Sequence, residues 1–174
     1  MKTYLKNIIA ILAVIILTSC GEKGGSSSEL GLSDKWVVGD GNISLFSKNY
    51  YDIDEMPILM KIVFESNYDF GEEIQILSFH IVSNQENEGQ IPTFSAEIDK
   101  LEIKNYRDAK ITFSVANIDN VLYLAIPDMN KENYEDANKE VMKFILNSDK
   151  VSIKTKLNND KSYTWKFNTT FRTE

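Results

Sequence analysis

The chain is poor in the two residue types that most often build catalytic and metal centres. Its 174 residues include one cysteine, Cys20, and one histidine, His80. A single cysteine excludes both an internal disulfide and a cysteine cluster for a metal ion. A Ser-His-Asp site would have to use His80, which lies in an apolar run. That setting is typical of a packed or surface histidine, so the sequence predicts no catalytic residue, no metal site and no cofactor.

Basic residues are also scarce relative to acidic ones. The sequence contains 19 Lys and Arg residues against 26 Asp and Glu residues, a net charge of −7. Nucleic-acid binding depends on cations that release counterions from phosphate, so this balance disfavours a nucleic-acid partner. It equally disfavours adsorption of the whole domain on anionic lipid. An acidic excess more simply keeps a domain soluble.

A hydrophobic run lies near the N-terminus. Residues 8–17 are apolar and uncharged, and Lys2 and Lys6 precede them. About 20 apolar residues are needed to cross a bilayer as a helix, so the run is too short for a stable span. A positive start, a short apolar centre and small residues behind it are typical of a secretory signal peptide. Removing that peptide would leave 17 basic and 26 acidic residues, a net charge of −9.

The segment closes with Leu17-Thr18-Ser19-Cys20. These residues resemble the lipobox of bacterial lipoproteins at every position: an aliphatic residue, Thr, Ser and then Cys. The resemblance covers only the first 20 residues. The alternatives are a secreted protein cleaved near Ser19 and an uncleaved anchor.

The resemblance implies that Cys20 is the first residue of the mature protein and carries lipid. In such proteins the thiol holds a diacylglyceryl group, and the new amine often carries a fatty acid such as palmitate. Each buried methylene contributes about 0.8 kcal/mol, so two or three chains anchor durably. We therefore expect a lipoprotein held to the bacterial cell envelope, facing the periplasm or the cell surface. In enteric bacteria Asp after the cysteine retains lipoproteins at the inner membrane, so Gly21 favours the outer membrane.

Composition divides the chain into three parts. Residues 1–19 are the predicted signal peptide. Residues 20–33 begin with the lipidated cysteine and are rich in Gly and Ser, which predicts a flexible tether. Residues 34–174 are predicted to form a single, monomeric globular domain. About 150 residues can bury enough surface to fold without a disulfide.

The predicted domain is mainly β. Apolar runs and two-residue alternation predict strands at 42–46, 58–64, 74–82, 111–115, 121–126, 151–157 and 163–167. The last two are predicted to form a hairpin whose core face carries Tyr163, Trp165 and Phe167. Residues 93–98 and 101–104 are predicted to be one strand, interrupted by a bulge or turn at Asp99-Lys100 where the period breaks.

One segment has helical periodicity. Apolar residues at spacings of three and four from Tyr134 to Ile145 predict a helix over about 133–147, with Asn133 as its N-cap. The expected fold class is therefore α+β. It is mainly antiparallel β, as a sandwich or a strongly curved sheet of roughly seven to nine strands, with this one helix packed against it.

Acidic loops and two tyrosines supply the remaining candidates. Clustered carboxylates suit calcium, and a spaced pair suits glycoside hydrolysis, but none of the groups has a specific spacing. The acidic groups are Asp52, Asp54 and Glu55; Asp69, Glu72 and Glu73; and Asp128, Asn130 and Glu132. Tyr50 and Tyr51 are adjacent, so in an extended chain one faces the core and the other faces outward, where it could stack on a sugar or a peptide.

Three functions remain open. The favoured one is a non-enzymatic envelope lipoprotein whose domain binds a protein or an envelope component. The second is an exported hydrolase that uses carboxylates or His80. The third is an inhibitor or immunity-type lipoprotein. A hydrolase requires His80, or the acids between residues 52 and 73, to meet in a cleft, and the folded structure tests that requirement.

Overall fold

The computed structural model describes residues 24–32, 36–69, 72–83, 91–126 and 130–170. These residues form eleven strands, one α-helix and a 3₁₀ turn at Ser27–Leu30. The helix, α1, spans Lys131–Leu146. The strands are β1 (Gly24–Ser26), β2 (Val37–Val38), β3 (Asn42–Phe46), β4 (Asn49–Ile53), β5 (Met56–Asp69), β6 (Glu72–Ser83), β7 (Lys100–Asn105), β8 (Lys110–Ile118), β9 (Val121–Leu124), β10 (Lys150–Lys156) and β11 (Ser162–Asn168).

All strand pairs are antiparallel, and they form one curled sheet shaped like a half-barrel. The strand order is β1-β4-β5-β6-β9-β8-β7-β10-β11, with β3 beside β5 and β2 beside β3. Strand β8 pairs with β7 through its first half and with β9 through its second half. The predicted α+β class is therefore confirmed, and of the two predicted forms the curved sheet is observed.

The core lies on one face of the long β5–β6 hairpin. Ile62 of β5 is paired with Phe79 of β6, and both side chains are fully buried. Alternation places Met60 and Leu77 on the same face. The hydrophobic side of α1 covers this face, where Val141, Met142 and Ile145 join the cluster.

The predicted C-terminal hairpin is confirmed. Strands β10 and β11 pair Ile153 with Trp165 and Thr155 with Tyr163. Tyr163, Trp165 and Phe167 are 1%, 0% and 1% exposed, so the aromatic face belongs to the core as predicted. The indole N–H of Trp165 donates a 2.8 Å hydrogen bond to the Thr155 hydroxyl, which satisfies the one polar group of that side chain.

The helix begins earlier than its sequence pattern predicts. The backbone N–H of Asn133 donates to the side-chain oxygen of Asn130 at 2.9 Å, and Asn130 has extended backbone angles. The prediction of Asn133 as N-cap is therefore wrong, because Asn130 supplies the oxygen and Asn133 lies in the first turn. Among the described residues, no helix combines the length and the hydrophobicity that crossing a membrane requires.

Residues 24–26 belong to the sheet and residues 27–30 form the 3₁₀ turn, so the flexible tether predicted for residues 20–33 is wrong for residues 24–30. Strand β1 pairs with β4, and the N–H of Ser27 donates to the Lys48 carbonyl at 2.8 Å. A side chain at Gly24 would collide with the backbone carbonyl of Tyr50. Glycine here permits close approach of two strands rather than flexibility. The sheet therefore includes residues 24–26, which lie before the predicted boundary at 34.

The interrupted strand predicted over residues 93–104 is also wrong in its first half. Only Lys100–Asn105 forms a strand, β7. Residues 93–98 contact the sheet through a bridge between Phe94 and Leu157, and a turn follows, in which the N–H of Ile98 donates to the Ser95 carbonyl. The chain turns at residues 96–97, before Asp99-Lys100, and Phe94 is buried in the core.

Candidate functional site: a lysine-rimmed cleft

Cys20, the predicted lipidation site, lies outside the described residues. His80 is paired across the sheet with Lys61, and its Nε2 lies 2.8 Å from the Ser78 hydroxyl. Burial lowers the pKa of His80, and the Lys61 charge lowers it further. In the described part of the chain no carboxylate contacts the imidazole. A Ser-His pair without a third group to orient it does not match a catalytic triad.

The acidic groups do not meet. Asp52, Asp54 and Glu55 lie just before β5. Asp69 ends that strand, and Glu72 and Glu73 begin β6, so the two groups are roughly 40 Å apart along a strand of 14 residues. His80 lies between the two groups, opposite Lys61. Asn130 caps α1, while Asp128 lies outside the described residues. Across the described ranges, no three His, Cys, Asp or Glu side chains form a group that could hold a metal ion.

The prediction for the two tyrosines is confirmed. Tyr51 faces the core, with its ring 4.9 Å from that of Tyr163 and 5.1 Å from that of Trp165. Tyr50 faces outward, and its hydroxyl lies 3.4 Å from the Glu29 carboxylate. Neither tyrosine forms an open stacking platform, because one packs inside and the other lies against the 3₁₀ turn.

A cleft of about 490 Å³ lies between two parts of the curled sheet, β1 and β4 on one side and β7, β10 and β11 on the other. Four lysines line it, and they come from four different strands or their ends: Lys48, Lys104, Lys150 and Lys166. We call this feature the lysine cleft. Clustering of cations here contrasts with the net charge of −7 of the whole chain.

Strand register explains how the lysines meet. Ser152 of β10 is paired with Lys104 of β7 on one side and with Lys166 of β11 on the other. Neighbouring strands lie about 4.8 Å apart, so the small serine sits between two lysines in one row across the outer face. Lys150 lies two residues before Ser152 and therefore projects from the same face. Among the described residues, the Ser152 hydroxyl has no hydrogen-bond partner.

The lysines differ in how far their charge is compensated. The Lys104 ammonium lies 2.7 Å from the Asp108 carboxylate, and this hydrogen bond raises the pKa of Lys104 and lowers that of Asp108. Both side chains are largely exposed, so the pair is weak. Within the described residues, neither Lys150 nor Lys166 forms an ion pair. Glu29 adds one carboxylate beside Gly25, at the margin of the cleft.

The walls of the cleft are fixed by backbone contacts. Asn49 donates to the Thr164 carbonyl at 3.1 Å and accepts from the Lys166 N–H at 2.8 Å. Asn105 accepts from the N–H groups of Arg107 and Ala109, which holds the turn after β7. That turn presents Tyr106, a lining residue whose side chain is 51% exposed. The site is therefore preformed, with cations, a free hydroxyl and an aromatic ring at its rim.

Sequence reasoning did not identify the lysine cleft. One signal was available, because Ser152, Lys154 and Lys156 alternate with apolar residues and so mark a polar outer face. The register that sets Lys104 and Lys166 beside Ser152 is not encoded locally. The chain matches no protein-family model, no curated protein and no solved structure.

Proposed function

We propose that this chain is a lipid-anchored protein of the bacterial envelope whose domain binds an anionic ligand in the lysine cleft. The anchor is supported by the resemblance of residues 17–20 to a lipobox. The binding role is supported by the cleft, which offers charge and hydrogen-bond donors in a preformed cavity. The lysine cleft also makes the hypothesis favoured by the sequence more specific, because it predicts that the ligand is anionic.

The observation that carries the proposal is the row formed by Lys104, Ser152 and Lys166, with Lys150 beside it. Each ammonium group provides three donors, and the serine hydroxyl provides another. Phosphate, sulfonate and carboxylate groups accept such charge-assisted hydrogen bonds. Tyr106 adds an aromatic surface next to the cations, suitable for an apolar part of the same ligand.

The acidic composition of the chain does not oppose this role. Charges separated by more than about 8 Å are largely screened at physiological ionic strength. A ligand in the cleft therefore responds to the lysines that line it far more than to distant carboxylates. Binding rather than hydrolysis is favoured, because His80 and the acidic groups before and after β5 lie far apart.

The test uses anilinonaphthalene sulfonate, an anionic aromatic dye whose fluorescence rises in apolar sites. Residues 21–174 are titrated with the dye as wild type and as two double variants. Lys150→Glu/Lys166→Glu changes the cleft, whereas Lys139→Glu/Lys143→Glu makes the same change in net charge on α1. A hydrogen bond to a charged group contributes about 1.5–3 kcal/mol, so the cleft variant should bind at least about ten-fold more weakly. Equal dye affinity for the two variants would contradict the proposal.

A further inference from the structure

The lysine cleft is close to the anchor in the covalent chain. Strand β1 begins at Gly24, and Gly25 and Ser26 line the cleft. Only three residues separate Cys20 from Gly24. Four residue steps extend to at most roughly 14 Å. A lipid on Cys20 would therefore keep the β1 margin of the cleft within a short distance of the membrane surface.

Because β1 is paired with β4, this margin cannot move away from the rest of the domain. Three backbone pairs join the strands, from Gly24 with Tyr51 to Ser26 with Asn49. A long flexible tether would let the domain sample every orientation, but only three residues separate Cys20 from the paired strand. The anchor thus restricts which face of the domain meets the lipid.

We propose that the occupant of the lysine cleft is the phosphate of an anionic phospholipid in the membrane that holds Cys20. This inference rests on the proposed function, and it names the ligand. The phosphodiester supplies the negative charge that Lys150 and Lys166 attract, and its oxygens accept hydrogen bonds from these lysines and from Ser152. The bound headgroup holds the outer face of β10 and β11 toward the lipid.

Two physical effects favour this source of phosphate over a soluble one. The anchor confines the cleft to the membrane surface, where headgroups are concentrated, so a weak contact is populated at high effective concentration. Each lysine near an anionic membrane surface also contributes separately to attraction. The net charge of the chain predicts that the whole domain avoids anionic lipid, but screening makes the local lysines decisive at the contact.

The experiment measures lysine reactivity in the full mature protein. The protein is purified with the lipid that is covalently attached to it and is then reconstituted into vesicles. Acetylation rates are measured by mass spectrometry in vesicles of phosphatidylcholine and in vesicles of phosphatidylcholine with phosphatidylglycerol. In the anionic vesicles Lys150 and Lys166 should react about five-fold more slowly, since one lysine–headgroup contact corresponds to roughly that factor. Lys139 and Lys143 on α1 are the internal controls and should keep their rates.

A third arm separates the two sources of phosphate. Glycerol phosphate is added to the protein in phosphatidylcholine vesicles. Protection of Lys150 and Lys166 by glycerol phosphate, without protection in anionic vesicles, would overturn the lipid assignment and leave the anionic cleft intact. Failure of both phosphates to protect them would overturn the lipid assignment and the proposed cleft together.

A pair of variants gives the matching genetic test. Lys104, the remaining lysine of the row, should also be protected in the wild-type protein in anionic vesicles, and Lys150→Glu/Lys166→Glu should abolish that protection. The Lys139→Glu/Lys143→Glu protein has the same net charge and should keep Lys104 protected. Loss of Lys104 protection in both variants would show a response to net charge alone and would overturn the proposal.

Discussion

The phenolic hydroxyl of Tyr51 donates a hydrogen bond to the carbonyl of Thr164 at 2.9 Å and accepts one from the N–H of the same residue at 3.2 Å. Side chains of β4 thereby satisfy the free backbone edge of β11, as a neighbouring strand would. Asn49 does the same at Lys166. Since β11 is at one end of the strand order, these bonds draw the curled sheet together beside the lysine cleft.

Tyr51→Phe should therefore destabilise the domain. The change keeps the ring that packs on Trp165 but leaves the N–H and carbonyl of Thr164 without this partner. Loss of such part-buried hydrogen bonds costs about 1–3 kcal/mol of unfolding free energy, measurable by urea denaturation. Tyr50→Phe is the matched control and should change stability by less than about 0.5 kcal/mol. Equal effects of the two changes would contradict the role of the Tyr51 hydroxyl.

Asn138 joins the helix to the sheet. Its side chain is fully buried, accepts from the N–H of Leu77 at 2.8 Å and donates to the carbonyl of Tyr134 at 2.7 Å. Asn138→Ala would leave the Leu77 N–H unsatisfied, at a cost of about 1–3 kcal/mol. Thermal melting should show the loss, while Glu140→Ala on the exposed side of α1 should melt near the wild-type temperature. A wild-type melting curve for Asn138→Ala would place the side chain outside the core.

The first strand is a further test of the domain boundary. A fragment of residues 34–174 lacks β1 and the 3₁₀ turn, and it should melt at a lower temperature than residues 21–174. Gly24→Ala in the longer fragment should reproduce part of that loss, because its Cβ would meet the Tyr50 carbonyl. Each effect should exceed about 1 kcal/mol. If the two fragments had the same melting temperature, β1 would not contribute to the stability of the domain.

His80 should give a small pH dependence of stability. Its folded pKa is lowered by burial and by Lys61, whereas the unfolded value is near 6.5. Just below pH 6.5 the unfolded state therefore binds more protons than the folded state. The contribution of His80 to the free energy of unfolding is fully present above that pH and declines as the pH falls. Urea titrations of wild type and His80→Gln should therefore diverge below about pH 6.5, with wild type losing more stability. Parallel curves would refute a lowered pKa.

Local patterns predicted the elements whose side chains alternate or recur strongly. The β10–β11 hairpin shows this best, because Ile153 and Trp165 lie on the predicted face and pair with each other. The helical stripe from Tyr134 to Ile145 likewise predicted α1 within a few residues. In both cases burial of one face leaves a periodic signature in the sequence.

The features that the sequence did not predict depend on contacts between residues that are distant in the chain. The sequence predicts a flexible linker at Gly24 and Gly25, because no residue nearby in the sequence indicates that Tyr50 packs over them. The sequence predicts that Phe94 belongs to a strand, whereas in the structure Phe94 forms an isolated bridge with Leu157. The lysine cleft is the clearest case, because Lys104, Ser152 and Lys166 become neighbours only through the register of three strands.

The most direct test of the account is the intact mass of the protein purified from cell membranes, because both the anchor and the orientation of the cleft depend on Cys20. The mature chain should begin at Cys20 and carry a diacylglyceryl group, with or without an amide-linked fatty acid. Cys20→Ser should lose this added mass and leave the membrane fraction. A wild-type chain that retains residues 1–19, or one that begins at Cys20 without lipid, would contradict it.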